Sequence, residues 1–152
     1  SKAPLRLTAS GVSDLLGKYT ALADWKIAHL VTGEYICNEI CQLEYQALDS
    51  LVASLPGLVS GDAKSYEDLM YGLLLSGIAM QMTGNSRPAS GAEHHMSHLW
   101  EMEVINDYIP FYHGEKVFPF FQLMLWNTAE NVISTLNVCG CDTASLSRQC
   151  PL

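Results

Sequence analysis

The feature that most constrains the fold is a period. From Ser10 onward, apolar residues return every third or fourth position, as Leu15, Leu16, Tyr19, Leu22, Ala23 and Ile27, with Lys18 and Lys26 off the stripe. That spacing belongs to a helix burying one face. Gly33, the Pro56-Gly57 pair and the turn-rich stretch 83–89 (TGNSRPA) punctuate the pattern. No run alternates convincingly in the manner of a strand, and no segment repeats. The expected fold is therefore all-α, a helical bundle.

Taken in order, residues 1–9 with Pro4 read as an entering linker or the end of a strand. A helix starts at Ser10 and carries Asp14 in its first turn. Asp24 and Trp25 lie further along it, and His29 reads as a packed or surface histidine. The second helix spans about 34–55, with Ile36, Ile40, Leu43, Ala47, Leu51 and Val52 inside and Glu39, Glu44 and Asp49 outside, and Pro56-Gly57 ends it. The third starts near Asp62 or Ser65 and continues through Met80. It is apolar nearly all round, which predicts a central helix with Met70, Met80 and Met82 as core filler. A histidine-bearing helix follows to about residue 105, then a loop over 106–112 containing Pro110. His113 opens a new segment, strongly apolar from Val117 and helical through Glu130, Val132, Ile133 and Leu136. A polar, frayed tail is expected from Cys139.

At 152 residues the chain can bury one core, which predicts one domain over 1–152. With 49% hydrophobic and only 16% charged residues, some apolar surface is expected to meet a partner. A net charge of −8 argues against a nucleic-acid or anionic-membrane surface, though not against a local cationic pocket for a phosphorylated metabolite. The five cysteines, Cys37, Cys41, Cys139, Cys141 and Cys150, read as reduced thiols of an intracellular protein. Cys37 and Cys41 fall on one helical face as small buried hydrophobes, and Cys139-Gly-Cys141 lacks the second pair a metal knuckle needs. No signal peptide opens the chain, and apolar runs such as 73–80 are too short to span a bilayer, so a cytoplasmic location is expected. There is no Gly-rich dinucleotide fingerprint and no initiator Met, and the chain reads as part of a larger protein.

The chemistry concentrates in 86–101, SRPASGAEHHMSHLWE, answered by His113-Gly114-Glu115. Ser90 and Glu93 have capping-box spacing, with the hydroxyl accepting from an early helical N–H and the carboxylate reaching back. A helix starting there puts His94 and His98 one turn apart on one face, with Glu101 a turn further. His95 points about 100° away. Such a stripe makes a wall for a metal or a proton relay. Asp14, His94 and His113 are of ligand type. As a set they would neutralise one of a divalent cation's two charges and leave it a Lewis acid. Asp14 reads equally as a carboxylate placed by the helix dipole, and the histidines as buried or surface residues without a ligand. Spacing alone leaves both readings open.

Three segments carry a family resemblance. LGKYTALADWKIAHLVTGEY preceded by Gly11-Val12-Ser13-Asp14, then SGIAMQMTGNSRPASGAEHHMSHLWEM, then HGEKV resemble, in order and spacing, the helical domain of sn-glycerol-1-phosphate dehydrogenases. That family belongs to the superfamily of iron-containing alcohol dehydrogenases, glycerol dehydrogenases and dehydroquinate synthases. The resemblance covers about 10–117. It implies Asp14, His94 and His113 as metal ligands, His98 as the catalytic proton-path residue, and Asp14 with His98 against substrate. The implied metal is Zn2+, with Ni2+ or Fe2+ as alternatives. The implied reaction is reduction of dihydroxyacetone phosphate by NADH or NADPH to sn-glycerol 1-phosphate, a lipid precursor.

Arg87 or Lys18 are candidate phosphate contacts. The family's N-terminal Rossmann-like, nucleotide-binding domain has no counterpart here, so no residue of this chain is expected to bind the cofactor. Pro119 interrupts where an unbroken helix is expected. The chain is thus expected to be the metal-binding part of a homo-oligomeric parent enzyme. Alternatives are a non-catalytic helical metal-binding or interaction module, or a dehydrogenase of glycerol or another small polyol.

Overall fold

The structure is a computed structural model that describes residues 3–103 and 111–138, with nothing stated for the side chains of 100, 103 and 127–138. Among the described residues there are six helices and no strand, so the all-α expectation holds. They are α1 (Leu5–Leu16), α2 (Lys18–Thr32), α3 (Asn38–Ser60), α4 (Ala63–Thr83), α5 (Ala92–Glu103) and α6 (His113–Val138). Residues Ser1–Phe121 form one compact unit and Gln122–Leu152 another. The expectations for the 106–112 loop, for a helix reaching 105 and for the tail with Cys139, Cys141 and Cys150 lie wholly or largely outside the described residues.

The core gathers Leu15, Leu22, Trp25, Ile40, Leu48 and Leu51, with the Trp25 indole N–H donating to the Tyr35 carbonyl at 2.9 Å. Leu15, Leu16, Tyr19 and Leu22 of the periodic stripe lie in or against this core, but Ala23 and Ile27 are exposed. On the next helix Val52, expected inside, is exposed and Glu44, expected outside, is wholly buried, and the helix boundaries differ too. The first helix starts at Leu5, so 1–9 is neither linker nor strand throughout, and it is interrupted at Gly17. That glycine keeps right-handed angles (φ −56°, ψ −22°), and a Cβ there would stand 3.1 Å from Cγ1 of Val117. The lack of a side chain at 17 therefore suits a residue a hundred positions away.

Helix α3 runs through Pro56 instead of ending at it, since a proline forfeits one hydrogen bond and that loss is borne by an otherwise well-packed helix. The stop comes at Gly61, left-handed at φ 81°. The Asp62 N–H reaches the Gly57 carbonyl at 2.8 Å and the Gly61 N–H reaches that of Leu58 at 3.4 Å, a Schellman closure. Asp62 then caps α4 by accepting from the Ser65 N–H at 2.9 Å, as the sequence suggested. Helices α3 and α4, joined by that short turn, make the most extensive helix pair.

Helix α4 is not central on all sides. Met70, Tyr71, Leu74, Ile78 and Met82 are exposed, so Met70 and Met82 are not core filler. Helix α6 likewise continues through Pro119, which does not interrupt it. Cys37 precedes α3 as its extended N-cap residue and Cys41 lies inside it. Both are free thiols, half-buried against the core, and only one stands on the helix that was expected to carry both. No helix among the described residues is long and apolar enough to cross a membrane.

Candidate metal centre

Three helix ends meet where the sequence placed its ligand candidates. Asp14 lies in the last turn of α1, not the first, so no helix dipole explains its carboxylate. His94 lies in the first turn of α5, and His113 opens α6. The start of α6 can come this close because residue 114 is glycine. Its N–H donates to Ser10 Oγ at 3.1 Å, and a Cβ there would collide with the Ser10 carbonyl.

One ligand atom from each of Asp14, His94 and His113 lies within 4.8 Å of the others. His94 Nε2 stands 3.1 Å from Asp14 Oδ1, and His113 Nε2 stands 3.7 Å from the same oxygen. Ligands about 2.0–2.1 Å from a tetrahedral zinc stand roughly 3.3 Å apart, so the spread suits such an ion. On its far side His94 meets a carboxylate: Nδ1 lies 2.8 Å from Glu93 Oε1. If Nδ1 donates its proton there, the lone pair of Nε2 confronts the lone pairs of Oδ1. Only a second proton or a cation between them relieves that opposition. The donor set therefore fits a divalent ion.

The electrostatics match. Burial raises the Asp14 carboxyl, but the His94 hydrogen bond and the Lys18 charge outweigh it, and its pKa falls to about 2. Burial lowers His94, while hydrogen bonds to Asp14 and Glu93 carry it above the ordinary imidazole value. His113 goes down, chiefly through burial. Glu93 is wholly buried, yet its bonds to His94 and the Gly91 N–H keep it below the usual carboxylate range.

The histidine stripe of α5 is as the sequence drew it. The His94 and His98 rings lie 6.4 Å apart and those of His98 and His113 5.4 Å, while His95 is exposed elsewhere. His98 is half exposed, with Nδ1 3.5 Å from Glu101 Oε2. The other oxygen of Glu101 meets Lys116 at 2.6 Å and His113 Nδ1 at 3.8 Å. Asp14 and His113 also end a groove of 820 Å³ between α1 and α4, with Leu7, Leu69, Leu73 and Leu74 in its wall.

Neither phosphate candidate is placed for that role. Lys18 is buried with Nζ on Asp14 Oδ2 at 3.2 Å. Arg87 forks onto both oxygens of Glu34 at 2.7 Å and reaches Asp24 at 3.2 Å. Sequence reasoning missed Glu93 as the support of His94, because neighbours on a helix do not ordinarily face each other. It assigned Glu93 to a cap on Ser90, but α5 starts at Ala92 and Glu93 reaches back to Gly91. Lys18 was legible as an i, i+4 partner of Asp14.

No protein-family model matches the chain. It is similar to the glycerol-1-phosphate dehydrogenase [NAD(P)+] of Geobacillus thermodenitrificans, 44% identical over 117 residues, which are 76% of this chain and 29% of that protein. The enzyme of the same name from Staphylothermus marinus is 40% identical over 117 residues, covering 77% and 32%. That of Pyrococcus furiosus is 36% identical over 114 residues, covering 75% and 32%. The chain spans about a third or less of the length of these curated relatives. Over the part it shares with them, the chain is similar to glycerol-1-phosphate dehydrogenases and corresponds to a partial domain of those proteins.

Proposed function

We propose that this chain carries the metal and substrate site of a metal-dependent oxidoreductase that reduces dihydroxyacetone phosphate to sn-glycerol 1-phosphate with NAD(P)H. The observation that carries the reading is the meeting of Asp14 Oδ1 with Nε2 of His94 and of His113, in a chain whose relatives bear that enzyme's name. Bound by these three residues, a zinc, nickel or iron ion supplies Lewis acidity toward the C2 carbonyl oxygen.

The protein's own residues do the rest. Glu93 fixes the His94 ring with Nε2 turned to Asp14, the side on which His113 also stands. His94 is buried and His113 is half exposed, so substrate approaches from the His113 and His98 side. A bound nicotinamide would supply hydride to C2 and be left as NAD(P)+, and the C2 oxygen would then need a proton. His98, oriented through Nδ1 by Glu101, delivers it from Nε2.

The test is a titration of the cobalt-loaded chain, followed by its visible absorption. Dihydroxyacetone phosphate is expected to perturb the spectrum at concentrations where glycerol does not. A spectrum indifferent to dihydroxyacetone phosphate overturns the substrate assignment.

A further inference from the structure

Lys18 is one of the few lysines of the chain and it is buried, a placement that costs stability unless the ammonium is paired. Its partner is specific. From one turn after Asp14 it crosses the interruption at Gly17 and puts Nζ on Oδ2 at 3.2 Å, while the two imidazole nitrogens gather at Oδ1. The two oxygens of one carboxylate are thus divided between a lysine and the candidate metal position. Behind Lys18 stands Glu44 of α3, wholly buried, with the buried Ser76 hydroxyl of α4 and the Lys18 charge acting on it. No polar ligand need be invoked for Lys18, since both of these acids lie within its electrostatic reach.

We propose that Lys18 is the positioning residue of this centre: by holding Oδ2 it makes Asp14 a one-oxygen ligand and keeps a coordination position open. The inference rests on the proposed metal site. Left alone at a helix end, an aspartate can swing to offer both oxygens, and a second oxygen would take the place a substrate carbonyl needs. Asp14 pairs the buried charge of Lys18 directly, and Glu44 adds to that pairing once it has lost its proton, above about pH 7. The arrangement spans the turns around Gly17, between α1 and α2, and α3, so it does not depend on the start of α6 that bears His113.

The test compares the wild-type chain with Lys18→Met and with Lys18→Met combined with Glu44→Gln. The double variant removes the acid that the single variant strands, so it keeps the question answerable where the single variant fails to fold. Circular dichroism and Tm establish folding, competition with a chromophoric chelator gives zinc affinity, and cobalt loading gives the visible spectrum. The wild type is expected to take one equivalent of zinc and to show intense four-coordinate cobalt bands. The variants should still take one equivalent, with affinity weakened roughly 10–100-fold and weaker cobalt bands as the freed oxygen raises the coordination number. A merely structural lysine would lower Tm and leave the cobalt bands alone. If the wild type binds zinc and the variants match it in affinity and spectrum, the positioning role is overturned while the metal site stands. If the wild type binds none, both fall together.

Discussion

Two polar knots cross between helices of this molecule, and they differ in kind. At Arg87, one guanidinium meets two carboxylates, Glu34 in a fork and Asp24 on the remaining nitrogen. Its donors face acceptors, and it works as a clasp between the 85–91 turn and α2. At Asp14, two imidazole nitrogens face a carboxylate oxygen that already has its other side on Lys18. Acceptor confronts acceptor unless a proton or a cation intervenes. Carboxylates thus serve closure in one place and the reception of a positive charge in the other, and donor count separates the two. Arg87, attractive in the sequence as a phosphate contact, belongs to the closed kind.

The largest effect that can break this contrast is on metal uptake. His94→Ala and His113→Ala are each expected to abolish stoichiometric zinc or nickel binding, while Arg87→Met and His95→Ala leave it intact. Elemental analysis of dialysed protein, with folding checked by circular dichroism, decides it. Equal metal content in all four would erase the distinction.

Next comes a pH effect confined to the side of the molecule behind the centre. Burial pushes the Glu44 carboxyl up to about 7. Folded Glu44 then holds a proton that the unfolded chain has released, so stability falls as pH rises from about 4.5 to about 7. The size is on the order of 3 kcal/mol at about 1.4 kcal/mol per unit. Denaturant midpoints of metal-free wild type and Glu44→Gln across that range should converge at low pH and separate above it. Parallel curves would mean that Glu44 is charged at no cost.

A smaller effect is expected from Gly114→Ala, whose methyl group must displace the start of α6 from Ser10. The overpacking costs about 1–3 kcal/mol, and because His113 moves with it, zinc affinity should weaken too. Stability lost with unchanged zinc affinity would detach the glycine from the site. Smallest is Arg87→Met, about 1 kcal/mol of stability for a partly exposed fork, read from the denaturant midpoint, with no change in metal affinity.

Much of the site was legible in the sequence, and the reasons are local. His94, His98 and Glu101 share a face by helical spacing alone, and Lys18 follows Asp14 by one turn. The family resemblance, not spacing, joined Asp14 to two histidines in the second half of the chain. What could not be read depends on contacts distant in sequence. The glycine at 17 leaves room for Val117, α3 runs on through Pro56 while packed on α4, and Glu93 meets His94 where the first turn of α5 is tucked against α2. Helix α4 misled in the opposite sense. Its all-round apolar surface reads as burial, but Leu74, Ile78 and Met82 are exposed, since periodicity reports what a helix can bury and not what is present to bury it.

The most direct measurement is an anomalous difference map at the zinc edge from crystals of the zinc-loaded chain. A single strong peak within bonding distance of Asp14 Oδ1, His94 Nε2 and His113 Nε2 is the expected result. A peak at other side chains, with those three left to protons alone, would contradict the assignment.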